Sequence, residues 1–318
     1  MTLLLKREFD FVGKRRAAAI VSGLLVAISL ISLLFNSLQF GLDFTSGTSV
    51  RLAYAEAVDI PQLNSTLQAN GYDNALVVTF GSERDIRIIL PVDEEIAIEE
   101  QSAQAVIVGE QITNLLREES GSEIELLGSD YVSAKVGEEL AEQGGIGMLV
   151  ALGIIMIYIS VRFQFKFAVG AVAALAHDVI ITLGVFSLFR IEFDLNVLAA
   201  LLAVIGYSLN DTIVVSDRIR ENFRRMRKGS PAEMVNISLN QTLSRTMITS
   251  FTTLLVLVTM LLVAGDVIRG FAFALTIGVV VGTYSSIYVA SSVILYMKIT
   301  REDLMIPLKE GEELDGVP

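Results

Sequence analysis

Cysteine is absent from this 318-residue chain. Disulfides, thiolate nucleophiles and cysteine metal sites are therefore excluded, and cysteine usage says nothing about redox compartment. Histidine occurs once, as His177, so a multi-histidine metal centre is excluded as well. Basic residues are scarce between Asn36 and Ala141, where 5 stand against 19 acidic ones, more than the whole net charge of −12. That region also lacks a glycine-rich phosphate loop, a nucleophile elbow and carboxylates at metal-ligand spacing. No cofactor, metal or enzymatic chemistry is expected.

What the chain has in quantity is apolar sequence, with 53% hydrophobic residues and a mean hydropathy of +0.60. Six stretches, at 17–35, 143–161, 167–189, 195–216, 243–264 and 271–297, each run to about 20 residues. That length crosses a hydrocarbon core of roughly 30 Å at about 1.5 Å per residue. The last stretch is longer, with length to tilt or to extend past the core. The chain is thus expected to be a polytopic α-helical membrane protein. The first stretch follows a basic segment and has no clear small-residue cleavage site, so it reads as a retained span.

Lys and Arg in the short connections set the orientation. Lys6, Arg7, Lys14, Arg15 and Arg16, then Arg162 and Lys166, then Arg218, Arg220, Arg224, Arg225, Arg227 and Lys228, and finally Lys298, Arg301 and Lys309 fall on one side. Only Arg190 and Arg269 fall in the short connections of the other. The N-terminus (1–16), a basic loop (217–242) and the tail (298–318) are then cytoplasmic, and the acidic domain (36–142) faces outward. The stretch Arg218–Lys228 reads as an amphipathic segment on the membrane surface against anionic lipid. Tethered there, it is not expected to bind nucleic acid.

Within the outward region, Thr48–Tyr54 alternates as a strand does, and Asp59–Asn70 has helical character closed by Gly71. Asn74–Phe80 and Asp85–Leu90 are strand-like around a turn at Gly81. Glu95–Glu118 has helical period, and Ser122–Leu127 is strand-like again. The order is βαββαβ, a ferredoxin-like α+β pattern. That fold hosts many functions and does not name one. The run Gly41-Leu-Asp-Phe-Thr-Ser-Gly-Thr48, just past the first span, reads as a turn that starts the first strand.

Ionisable residues inside spans are costly and mark functional sites by default. Asp211 is one, in Ala203-Val-Ile-Gly-Tyr-Ser-Leu-Asn-Asp-Thr-Ile-Val-Val215. A proton can neutralise it, which makes it a candidate proton carrier. Counting rise per residue puts Asp211 roughly 21 Å and Arg245 roughly 28 Å from the outer edge, close enough for a long side chain to close the gap. The expectation is an Asp211–Arg245 pair on the fourth and fifth spans. Separation and re-approach of the two would bind and release a proton; a static packing ion pair and an interfacial, snorkelling Arg245 are the alternatives. Asn210 is expected to hydrogen-bond between helices. Asp178, roughly 16 Å deep, is a candidate second titrating or packing group. His177 points about 100° away from it around the helix, so the two are not expected to share one spot. Gly278 and Gly282, and Gly144, Gly145 and Gly147, suit close helix contacts.

Phe9-Asp-Phe11, Gly41-Leu-Asp-Phe44, Ala176-His-Asp178, the long run Gly206-Tyr-Ser-Leu-Asn-Asp-Thr-Ile-Val-Val-Ser-Asp-Arg-Ile-Arg-Glu-Asn222 and Ser244-Arg-Thr246 occur together with six spans and one large outward loop. In this the chain closely resembles the SecF family of protein-export membrane subunits, in the resistance-nodulation-division superfamily. The resemblance covers almost the whole chain, and 206–222 is its most specific stretch. It implies a subunit, in the bacterial inner membrane, that works with SecD on the SecYEG channel, with YajC and YidC as further associates. Its task there is to use the proton-motive force to draw an exported unfolded polypeptide outward. It further implies that Asp211 and Arg245 serve proton passage. The family turn reads Gly-x-Asp-Phe-x-Gly-Gly, and Ser46 stands here for the first glycine of the closing pair, so glycine is not strictly needed there. The residues alone leave open sodium in place of protons, a half-unit exporting small amphiphiles or lipids, and a non-transporting scaffold of the translocase.

Overall fold

A computed structural model describes residues 9–304 except 42, 45–46, 74, 81, 92–97, 133, 163, 227, 265 and 301. The expectations placed on Lys6, Arg7, Ser46, Gly81, Arg227, Arg301 and Lys309, the element starts at Asn74 and Glu95, and the tail from 305 lie outside the described residues.

A long helix, α1 (Arg15–Asn36), leads into a two-residue strand, β1 (Gln39–Phe40). The hydrophilic domain follows as β2 (Gly47–Tyr54), α2 (Ile60–Ala69), β3 (Leu76–Phe80), β4 (Ser82–Pro91), α3 (Ile98–Ser120) and β5 (Ile124–Val132). Next come α4 (Ala134–Arg162), α5 (Phe165–Leu188), a second two-residue strand β6 (Glu192–Phe193), α6 (Leu195–Arg225), α7 (Pro231–Val263) and α8 (Asp266–Ser285). A π-helical turn, Ser286–Ala290, joins α8 to α9 (Ser291–Tyr296). Among the described residues, six helical runs are long and apolar enough to cross a membrane: α1, α4 from Glu142, α5, α6, α7, and α8 from Ile268 with α9.

The domain is ferredoxin-like. Its four strands are antiparallel in the order β3-β4-β2-β5, with β2 paired on both edges. Val50 and Leu52 of β2 and Ile86 and Ile88 of β4 alternate inward and meet Leu63, Leu67, Ile112 and Leu116 from the two helices. Each such side chain contributes about 1.5–3 kcal/mol on burial. Local chemistry sets the ends of α2: the Asp59 carboxylate accepts from the Gln62 N–H, Pro61 sits in the first turn, and Gly71 takes a φ of +88° beyond the helix.

The basic connection departs from expectation. Residues 218–225 continue α6 without a break, because no glycine or proline interrupts them before Gly229 and Pro231. Ser230 and Glu233 then form a capping box that starts α7 at once. The basic residues therefore extend a spanning helix and do not form a separate surface segment.

Small residues set the helix spacing. A Cβ on Gly184 of α5 would lie 2.6 Å from the Cα of Ser29 on α1. On α8, a Cβ on Gly278 would meet Val204 at 2.1 Å and one on Gly282 would meet Ser208 at 3.0 Å, both on α6. Of the glycines near the start of the second span, Gly144 faces Leu198, whereas Gly145 and Gly147 meet nothing. Those two mark no helix contact, because they fall on the open side of α4.

The domain and the helical bundle are tied at one end of α6. β1 pairs with β6 in parallel, matching Gln39 to Glu192 and Phe40 to Phe193. Arg87 on β4 reaches Glu192 at 3.7 Å. Burial pushes the Glu192 carboxyl above the usual range; Arg87 draws it down, while Asp194 and Asp43 push it up.

Gly184→Ala is expected to lower the free energy of unfolding in detergent by about 1–3 kcal/mol, since backbone must move to admit the methyl. Gly147→Ala, with open space around it, is expected to leave stability unchanged or to raise it by up to about 1 kcal/mol. Denaturant titration of both variants checks the contrast.

Candidate functional site

Asp211 lies in the middle of α6 and is buried, and its Oδ2 atom reaches no hydrogen-bond donor. Thr212 on α6 and Thr246 on α7 likewise bury hydroxyl oxygens that have no partner. Native structures satisfy nearly all buried polar atoms, so a group of orphans on two packed helices calls for an explanation. Ionised, Asp211 is a buried charge without a hydrogen bond, which costs several kcal/mol; carrying a proton, it is not.

Arg245, on α7, lies within Coulombic range of Asp211, and the two make no direct ion pair. The expected contact is thus not closed in this structure. Counting residues gives height along a bundle but not the direction in which each side chain leaves its helix. Arg245 is exposed and stands at a cleft of about 360 Å³ between α4, α6 and α7, with Tyr158, Asp217 and Glu221 among its lining residues. Arg218, also in the cleft, is held by Glu221 at 2.9 Å.

Asp178 has the opposite surroundings. It is fully buried on α5, and Oδ2 accepts from Ser208 Oγ of α6 at 2.6 Å and from Ser285 Oγ of α8 at 2.7 Å. Its Oδ1 meets Nδ1 of His177 at 2.9 Å. That contact overturns the expectation that the two side chains stay apart: an imidazole is long enough to fold back onto the next residue. Among the described residues, His177 makes no hydrogen bond to another helix; it stacks on Tyr284 at 6.2 Å and leaves Nε2 buried without a partner. Asp178 thus locks α5, α6 and α8 together immediately before the π-helical turn, a local irregularity often found at functional sites.

A second polar run crosses the same helices. Tyr207 Oη donates to Ser250 Oγ at 3.3 Å, and Ser250 shares a hydrogen with Thr283 at 2.7 Å, linking α6, α7 and α8. Asn210 is not part of it; the residue is exposed on α6 and makes no hydrogen bond between helices among the described residues, because the helix turns it outward. Nor is a group of three or more metal-binding side chains assembled among the described residues. Sequence reasoning missed Ser208, Ser285 and Ser250, which are common small residues. The one available signal was spacing: Val204 and Ser208 repeat the four-residue interval of Gly278 and Gly282, the pair they pack against.

Asp178→Ala would leave two serine hydroxyls and one imidazole nitrogen without their partner, at about 1–3 kcal/mol for each group left unsatisfied. A loss of more than about 2 kcal/mol in unfolding free energy is expected, with Ser285→Ala costing roughly 1 kcal/mol; calorimetry in detergent measures both.

The family described as "Protein export membrane protein SecD/SecF, C-terminal" matches residues 111–300. The chain is 45% identical to the protein translocase subunit SecF of Vibrio alginolyticus, covering 100% of both chains. It is also 45% identical to the SecF subunit of Pseudomonas aeruginosa, covering 97% of each. Among solved structures, it is similar to SecDF, a translocon-associated membrane protein from Thermus thermophilus, with a TM-score of 0.82 and 37% identity. That match covers 94% of this chain and 40% of the SecDF chain. A second structure, of SecDF in a super-membrane-facing form, matches with a TM-score of 0.69 at 36% identity.

Proposed function

We propose that this chain, which belongs to the SecF family of protein translocase subunits, couples proton entry at Asp211 to the late steps of protein export. It is a multi-pass membrane subunit of the translocase. On our reading it sits in the inner membrane with both termini cytoplasmic, pairs with a SecD chain, and serves the SecYEG channel and the unfolded polypeptide leaving it, with YajC and YidC as further associates.

The observation that carries the proton reading is the contrast between two buried carboxylates about 30 residues apart. Asp178 is satisfied by three side chains and serves as a structural node. Asp211 has an oxygen with no donor and a cation in range but out of contact. A group so placed alternates between a protonated state with Arg245 apart and an ionised state with Arg245 drawn in. One proton crossing yields about 2.3 kcal/mol per 100 mV, enough to bias states a few kcal/mol apart.

A SecD partner is supported by what the bundle leaves open. α4 and α7, two of the helices that line the Arg245 cleft, expose Leu149, Ile157, Phe251 and Leu262. Transporters of this kind set two repeats about a pseudo-twofold axis with the ion site at their interface, and this chain holds one of them. The unequal likeness to two SecDF forms also supports a fold that adopts more than one arrangement. An exporter of small amphiphiles fits less well. The domain groove of about 570 Å³ is lined by Glu56, Asp59, Gln62, Glu119 and Glu123 among others.

In vesicles containing the complete translocase, Asp211→Asn is expected to abolish the uncoupler-sensitive part of export and to leave the uncoupler-insensitive part intact. Full uncoupler-sensitive export by Asp211→Asn would remove the proton reading and leave the scaffold reading standing.

A further inference from the structure

We propose that the turn Gly41–Phe44 and Glu192 form the joint through which the Asp211 helix moves the hydrophilic domain, with Asp43 as the positioning residue that grips the start of α6. The inference rests on the proton reading above and adds the route by which proton occupancy reaches the domain.

The joint is built from several independent contacts. The Leu195 N–H, at the first residue of α6, donates to Asp43 Oδ2 at 3.0 Å. Two residues on, the Val197 N–H is taken by Asp194 at 2.8 Å. Two carboxylates therefore close the positive end of this helix, one local and one from the segment that leads into the domain. The Gly41 N–H donates to the Phe193 carbonyl at 2.9 Å, extending the β1–β6 pair by one bond. Phe44 stacks on Phe193 at 5.7 Å, and Phe40 meets both rings edge-on. A Cβ on residue 41 would lie 2.7 Å from Glu192 Oε1, so the backbone of the turn runs directly against that carboxylate. Arg87, from the middle of β4, completes the contact with Glu192.

Both ends of this joint lead to structures that move as units. Asp43 is four residues before β2, the strand that hydrogen-bonds to both β4 and β5. A displacement of Asp43 thus pulls on the centre of the sheet and not on an edge. On the other side, α6 is unbroken from Leu195 to Arg225. Asp211 lies 16 residues along it, roughly 24 Å from Leu195, so a shift or rotation of α6 driven at Asp211 arrives at Leu195 undiminished. A turn that only started a strand would need neither a carboxylate on a distant helix nor a charge pair to β4.

The test uses vesicles containing the complete translocase, with two readouts: proton movement into the lumen and proton-stimulated export. Asp43→Ala is expected to keep proton movement and lose most of the stimulation of export, while Asp43→Asn, whose amide oxygen still accepts from Leu195, keeps both. Glu192→Arg is expected to lose stimulation, and the exchange Arg87→Glu with Glu192→Arg to regain it, which keeps the proposal testable should Asp43→Ala fail to assemble. Full stimulation in Asp43→Ala, loss of proton movement together with stimulation, or failure of the exchange to restore export would each overturn the joint. Asp211→Asn is run alongside: if it alone keeps full stimulation, the proton reading fails whatever the joint does, and if it loses both readouts, the joint is judged on its own variants.

Discussion

Inside a bilayer no solvent stands ready to satisfy a polar group, so each must find its partner within the protein. Nearly every polar side chain in the core of this bundle obeys that constraint. Serines and threonines bond back to their own helices or across to the next, and Asp178 collects donors from three directions. Asp211 does not obey it. Thr212 on α6, Thr246 on α7 and the His177 Nε2 atom on α5 share its condition, and Asp211 is the carboxylate among them. A rigid, satisfied node and an unsatisfied site thus lie on one set of helices. The first fixes how α5, α6 and α8 pack, and the second leaves a group free to change its charge.

α6 joins the levels of the molecule. It packs against α5, α7 and α8, it carries Ser208 to the Asp178 node and Asp211 to the open site, and its first turn is closed by an acid from the segment that leads into the ferredoxin-like domain. One helix therefore carries both the proposed proton site and the attachment point of the ferredoxin-like unit. α4 and α7 expose apolar faces, and a cleft opens between them and α6, which is where our proposal sets the other half of the ion pathway.

Much of this was legible in the sequence. Hydropathy located six spans because each needs about 20 apolar residues whatever its neighbours, and strict alternation located β2 because Val50 and Leu52 must face one way. Asp211 was legible as an exception to the apolar rule. What was not legible depended on direction or distance. Whether Asp211 and Arg245 touch depends on how each helix is rotated, and the polar neighbours of Asp178 come from positions 30 and 107 residues away. Asp43 read as part of a turn because its acceptor role involves a backbone N–H 152 residues on, which no side-chain pattern announces. The basic stretch after residue 217 read as a surface segment because charge was weighed over the absence of a helix breaker.

The central claim is that Asp211 carries a proton in the working translocase subunit and gives it up as Arg245 approaches. Infrared difference spectroscopy across a pH step, on the complete complex in lipid, observes this directly through the stretching band of a protonated carboxyl. A band that rises and falls with pH in the wild type and is missing in Asp211→Asn is the result expected. Asp211 ionised at every pH, with no carboxyl band assignable to it, would contradict the claim and leave the residue a fixed charge in the bundle.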